Sequence, residues 1–177
     1  NTLKLYFDEE NDFLLFPKNS EKIYKQYKLR VHTERLYRRI IYNLIKDGVI
    51  DKNKNIIDLG AWIGDNSLIW SKMINGKVYA IEPSEKNCKI MKLIKEKNKL
   101  KNLQIIKKVI SNKNEKVYYK GNLTHTSFSN KKDLTKYKNE LYATSLDNLL
   151  KNKIITNIGF IHLDVEGFEF KTLLGCE

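Results

Sequence analysis

Cysteine, proline and tryptophan each occur only twice in the 177 residues, and arginine is confined to Arg30, Arg35, Arg38 and Arg39. The two isolated cysteines, Cys88 and Cys176, form neither a disulfide framework nor a CxxC pair, which excludes a disulfide scaffold and a thiolate zinc site. With so few prolines and only eight glycines, the chain is neither collagen-like nor low-complexity. No segment approaches the ~20 apolar residues that span a bilayer, and the N-terminus has no basic, apolar and small-residue progression of a secretory signal. The expectation is a soluble, intracellular protein of the cytoplasm.

What is present is enough for one domain with a real core: 41% hydrophobic and 31% charged residues. The formal net charge of +12 first suggests a polyanionic partner. Nearly all of it is lysine spread along the whole chain, whereas planar, bidentate phosphate recognition favours arginine. Solvated surface charge is the better reading, with nucleic acid the weaker alternative. The stretch from Lys25 to Arg39, where basic residues and tyrosines share one segment, is set apart.

Two apolar runs, Leu3 to Phe7 and Phe13 to Phe16, flank turn-rich residues and predict an N-terminal hairpin. Ser20 is placed to cap a short helix, and Leu36, Ile40, Ile41, Leu44 and Ile45 recur at helical spacing up to Gly48. A cycle of strand, helix and strand follows: Ile56 to Leu59, then Leu68, Ile69 and Met73, then Lys77 to Ile81. A second cycle runs through Ile90, Met91, Leu93 and Ile94 to a strand over Leu103 to Ile110. After Ser111 an insertion is expected, with a strand at Lys116 to Tyr119, a polar loop at Gly121 to Asn130 and a helix begun by Ser145. Ile158 to Val165 restores the sheet, and Gly167 opens a last helix. This alternation predicts an α/β domain, a mostly parallel sheet flanked by helices. The division is residues 1–46, a hairpin and helical extension, and 47–177, the α/β domain.

The turn Asp58-Leu59-Gly60-Ala61-Trp62-Ile63-Gly64 joins a strand to a helix, and its glycines permit a tight bend and close backbone approach to an anionic ligand group. Glu82 ends the next strand, 22 residues beyond Gly60, near the offset at which an acidic side chain meets a ribose diol. Together they form a nucleoside-binding signature, for which nicotinamide dinucleotide and S-adenosylmethionine are both candidates. Gly-x-Gly-x-x-Gly is missing, which disfavours the former.

Asp58-Leu59-Gly60-Ala61-x-x-Gly64, Ile81-Glu82-Pro83, Ser145-Leu146-Asp147 and Asp164-Val165-Glu166-Gly167-Phe168-Glu169 occur in the order and context that resembles the FkbM-type family of S-adenosylmethionine-dependent methyltransferases, over about Asp47 to Gly175. The resemblance implies a Rossmann-like class I methyltransferase fold. Such sheets have seven strands and only four to five are readable, so the expectation is a domain incomplete at its C-terminal end, with an exposed sheet edge and a homo-oligomer as one consequence. It also implies that Gly60, Ala61 and Gly64, with Asp58, hold the methionine part of the donor. Glu82 would take both ribose hydroxyls and Pro83 would border the adenine. Asn66 and Ser67 could meet the donor carboxylate, and Ile110 and Ser111 would frame the adenine ring. His162 stands where the family often has lysine, so no role is carried over to it.

Alternation along the last strand turns His162, Asp164 and Glu166 to one side and Leu163 and Val165 to the other. Asp164 and Glu166 are the catalytic candidates, Asp164 either as general base or as ligand of a divalent cation such as Mg2+. Glu166 and Glu169 also suit a first helical turn for electrostatic reasons alone. His125, in the polar insertion, is a minor acceptor-site candidate. The reaction read from this is O-methylation of a small-molecule hydroxyl, a sugar or glycan first. An RNA methyltransferase and a non-catalytic nucleoside-binding module are the alternatives.

Overall fold

In a computed structural model the described residues are 3–6, 13–119, 128–129, 139–165 and 167–176. The N-terminal hairpin pairs β1 (Leu3–Tyr6) with β2 (Phe13–Phe16) antiparallel. After a single 3-10 turn come α1 (Glu21–Thr33) and α2 (Arg35–Lys46). Ser20 stands before α1, but its hydroxyl donates back to the Pro17 carbonyl and accepts nothing from the helix. The buried face of α2 is Arg38, Ile41 and Ile45. Leu36 and Ile40 share the expected spacing yet lie exposed, because the face that meets the core is rotated toward Arg38.

The alternating α/β region then runs β3 (Asn55–Leu59), α3 (Ser67–Met73), β4 (Val78–Ile81), α4 (Glu85–Lys97) and β5 (Leu103–Ile106). Here the expected strand over Leu103 to Ile110 is two strands. After Ile106 the chain leaves the first sheet, and β6 (Val109–Ile110) starts a second one. That sheet, ordered β6-β9-β7-β8, takes β7 (Glu115–Tyr119), β8 (Phe128–Ser129) and β9 (Asn139–Thr144). No strand was expected at β9. There Leu141 and Ala143 alternate with exposed Glu140 and Tyr142, a pattern too short to stand out beside a polar insertion. α5 (Leu146–Lys151) follows, with the Ser145 hydroxyl accepting from the Asn148 N–H as its cap. β10 (Ile158–Leu163) and α6 (Glu169–Leu173) end the described chain.

The first sheet has the order β10-β3-β4-β5 with every pairing parallel. Numbered by appearance within that sheet, the order is 4-1-2-3, the first four strands of a Rossmann-type sheet, whose direction of winding reverses between β3 and β10. Alternate residues serve two cores. Ile56, Val78, Ala80 and Leu103 pack toward a cluster with Leu68, Trp70, Met91 and Ile94. Ile57, Leu59, Tyr79 and Ile81 pack toward Ile110, Leu146 and Leu149. Each such aliphatic side chain removed from water contributes about 1.5–3 kcal/mol. Leu14, Phe16, Tyr27, Ile41 and Ile45 belong to the first of these clusters, so the N-terminal hairpin and helices share a core with the parallel sheet. Among the described residues no helix is long and apolar enough to cross a membrane.

Candidate donor and reaction site

Where the sheet reverses, the chain leaving β3 must bend sharply in front of β10. Gly60 and Gly64 do so at φ +80° and +84°, and Trp62 between them also sits at positive φ, +48°. Gly60 is required twice over, since a Cβ there would lie 1.8 Å from the backbone oxygen of Asp164. The Gly60 and Ala61 N–H groups both donate to the Ile81 carbonyl, at 3.0 and 3.1 Å, and the Gly64 N–H to the Ala61 carbonyl at 2.7 Å. The glycine turn and Asp164 are therefore in van der Waals contact at the carboxyl end of the sheet, where open α/β folds bind ligands.

Glu82 is buried directly after β4. Its Oε2 accepts from the Trp62 N–H at 2.9 Å, and its Oε1 from the Ser84 N–H at 2.9 Å and the Asn87 amide at 3.2 Å. An ionised carboxylate has about four acceptor positions, so one remains for a ligand hydroxyl. Burial raises the Glu82 pKa to about 7 against the opposing pull of these hydrogen bonds. Because the folded state then holds a proton that the unfolded state, at 4.5, has released, this group costs stability as pH rises from about 4.5 to 7. The unfolding free energy of the unliganded protein, relative to Glu82→Gln, should fall across that interval in denaturant titrations. A flat difference would mean that Glu82 is not buried as described.

Asp58, the motif acid, is fully buried in β3 and faces α3. It accepts from the Ser67 hydroxyl and meets His162 Nδ1 at 2.8 Å. Burial opposes a charged His162, but the hydrogen bond and charge of Asp58, with Asp164 and Asp65 beyond, outweigh it and hold the imidazole above its ordinary pKa. His162, from which no role was carried over, therefore works with Ser67 to fix Asp58. Ser67 is wholly buried and its hydroxyl is already engaged. Asn66 differs: its Oδ1 is buried with no hydrogen-bond partner, an orphan at the end of the glycine turn.

Asp164 follows β10, its N–H donating to the Leu59 carbonyl at 3.0 Å while its carboxylate is about half exposed. Arg30 on α1 lies 3.7 Å from that carboxylate. Glu169 has a structural task, its two oxygens accepting from the Val165 and Gly167 N–H groups and so bracing the turn after Asp164. Glu166 and His125 lie outside the described residues. Among the described residues, which do not include Glu166, no cluster of three or more His, Cys, Asp or Glu side chains could hold a metal ion, at Asp164 or elsewhere.

Ile110 and Ser111 lie where the chain has left the first sheet for the second. Ile110 is packed into the core with Leu59 and Ile81, and Ser111 is buried in the second sheet with its hydroxyl on Glu115. The β5 residue bonded to Glu82 is Ile106, whose carbonyl accepts the Glu82 N–H at 3.1 Å. Pro83, next along, is half-buried. Cys88, on α4, is a free buried thiol pushed up to about 11, chiefly by burial. Sequence reasoning missed the contribution of α1 and α2. Tyr27, Arg30 and Arg38 all reach Asp65, immediately after Gly64.

A Rossmann-type switch point with a glycine turn, a buried acid after the second strand and an exposed acid after the fourth defines the class: a nucleoside-cofactor α/β enzyme fold. The family model of the methyltransferase FkbM domain matches residues 58–177, more than half of the chain, and the chain belongs to that family. Among solved structures, a SAM-dependent methyltransferase from Aquifex aeolicus is 26% identical over 40% of this chain and 42% of its own, with a TM-score of 0.34. The MccD protein is 25% identical over 36% of this chain and 28% of its own, with a TM-score of 0.32. The chain thus corresponds to less than half the length of either. No curated protein matches it.

Proposed function

We propose that this domain binds S-adenosylmethionine at the Gly60–Gly64 turn and transfers its methyl group to a hydroxyl of a small molecule, a sugar or glycan first. The observation that carries the reading is the direct contact between the donor turn and Asp164 across β3 and β10. The donor, when bound, supplies an electrophilic methyl on a sulfonium. The residues present fit it: the orphan Asn66 Oδ1 can accept from the donor's ammonium, and the open position on Glu82 can accept one ribose hydroxyl. Asp58 acts from behind, holding Ser67 at the start of α3 and His162 on β10.

Asp164 has the exposure and the position to take the acceptor's proton as its oxygen attacks, and alignment supplies most of the remaining rate. Its carboxylate and that of Glu34 both pair with the Arg30 guanidinium, at 3.7 and 2.7 Å. Glu82→Ala should weaken S-adenosylmethionine binding by about 1–3 kcal/mol, the scale for hydrogen bonds to a charged group. Calorimetry on the folded variant measures it, and unchanged affinity would remove Glu82 from the donor site. The acceptor is tested with donor labelled in the methyl group against sugar nucleotides, free glycans and short RNAs. Label appearing only in RNA would overturn the hydroxylated small-molecule assignment.

A further inference from the structure

The family match begins at residue 58, yet α1 and α2 contact the glycine turn at its middle and just past its end. At the far end, the Asp65 carbonyl accepts from the Tyr27 hydroxyl at 2.8 Å and from Arg38 Nη1 at 2.6 Å. The Asp65 carboxylate accepts from Arg38 Nη2 at 3.0 Å. Arg38 and Asp65 are 5% and 3% exposed, and Tyr27 is wholly buried. In the middle of the turn, the Arg30 guanidinium lies over the Trp62 ring, 5.9 Å from its centre, while its Nε is 3.5 Å from Asp65 Oδ2. Trp62 is the residue whose N–H holds Glu82.

One residue of this turn is held in an unfavourable backbone conformation. Three residues in five have positive φ, and one of them is a tryptophan, for which that conformation is unfavourable unless its surroundings impose it. A buried ion pair such as Arg38–Asp65 adds little net stability over an apolar pair, so its use is geometric: two guanidinium N–H groups fix the carbonyl and the carboxylate of one residue together. We propose that α1 and α2 are part of the donor site, with Arg38 and Arg30 as positioning residues that hold the Gly60–Asp65 turn in its donor-binding shape. The inference rests on the assignment of S-adenosylmethionine to that turn.

The test is calorimetric titration of the whole chain with S-adenosylmethionine, well below the melting temperature of each variant. Arg38→Gln should raise the donor Kd tenfold or more, Arg30→Gln about threefold or more, and Arg38→Lys should recover part of the loss, because one ammonium can reach only one of the two Asp65 oxygens at a time. Arg35→Gln, on the exposed side of α2, should leave it unchanged. If Arg38→Gln does not fold, Arg30→Gln and Tyr27→Phe carry the test, since the first removes the contacts to Trp62 and Asp65, the second removes the hydrogen bond to the Asp65 carbonyl, and both leave the Arg38–Asp65 ion pair. Lower melting temperatures with unaltered donor Kd in every folded variant would reduce the helices to a structural role and overturn the proposal. Failure of the unsubstituted chain to bind S-adenosylmethionine would instead overturn the donor assignment on which it rests.

Discussion

Replacing Asp164 by asparagine is expected to reduce turnover on a hydroxyl acceptor by about a hundredfold or more, the usual range for a lost general base. The substitution keeps the shape of the side chain and its place after β10, where the backbone N–H is tied to Leu59. Donor affinity should stay near normal, because Glu82 and Asn66 act from other elements. Chelation of divalent cations should leave the unsubstituted protein's activity intact if Asp164 acts as a base, whereas a cation ligand would make activity follow added magnesium. Full activity of Asp164→Asn on the acceptor would place the reaction centre elsewhere.

Gly60→Ala should be the most damaging single methyl group in the domain. Gly48 offers the control, since it too has positive φ, +76°, but a Cβ there would have nothing within 4 Å. Gly48→Ala therefore meets only the left-handed backbone strain, about 1–2 kcal/mol. At Gly60 the same strain is joined by a 1.8 Å overlap with the carbonyl of Asp164, a residue just past β10 whose N–H is bonded to Leu59. The expected loss is about 4 kcal/mol or more, the range reserved for core overpacking with backbone strain. In thermal unfolding this is a fall of ~10 °C or more, against a few degrees for Gly48→Ala. Similar losses for the two would mean that β3 and β10 do not meet at Gly60.

The parallel sheet was legible because its signals are local. Apolar runs at β3, β4 and β10 alternate with helical spacing, and glycines mark the turns, so strand, helix and order could be read from neighbouring residues. The glycine turn and the position of Glu82 were legible for the same reason, each being a short motif at a strand end. What was not legible depends on contacts distant in sequence. The break after Ile106 is decided by pairing of β6 with β9, more than thirty residues away. The burial of Arg38 is decided by Asp65, which no helical pattern in residues 35–46 announces. One signal was available: in a lysine-rich chain all four arginines fall within ten residues, and two of them, Arg30 and Arg38, reach Asp65 beside the glycine turn. Read as charge, that segment suggested a polyanion; its bidentate geometry serves the protein's own Asp65.

Calorimetric titration of the chain with S-adenosylmethionine, S-adenosylhomocysteine and NAD tests the central claim most directly. Saturable binding of the first two at one site per chain, weakened by Glu82→Ala and absent for NAD, is the predicted result. Binding of NAD in preference to either, or donor binding indifferent to Glu82, would contradict the assignment of the Gly60–Gly64 turn.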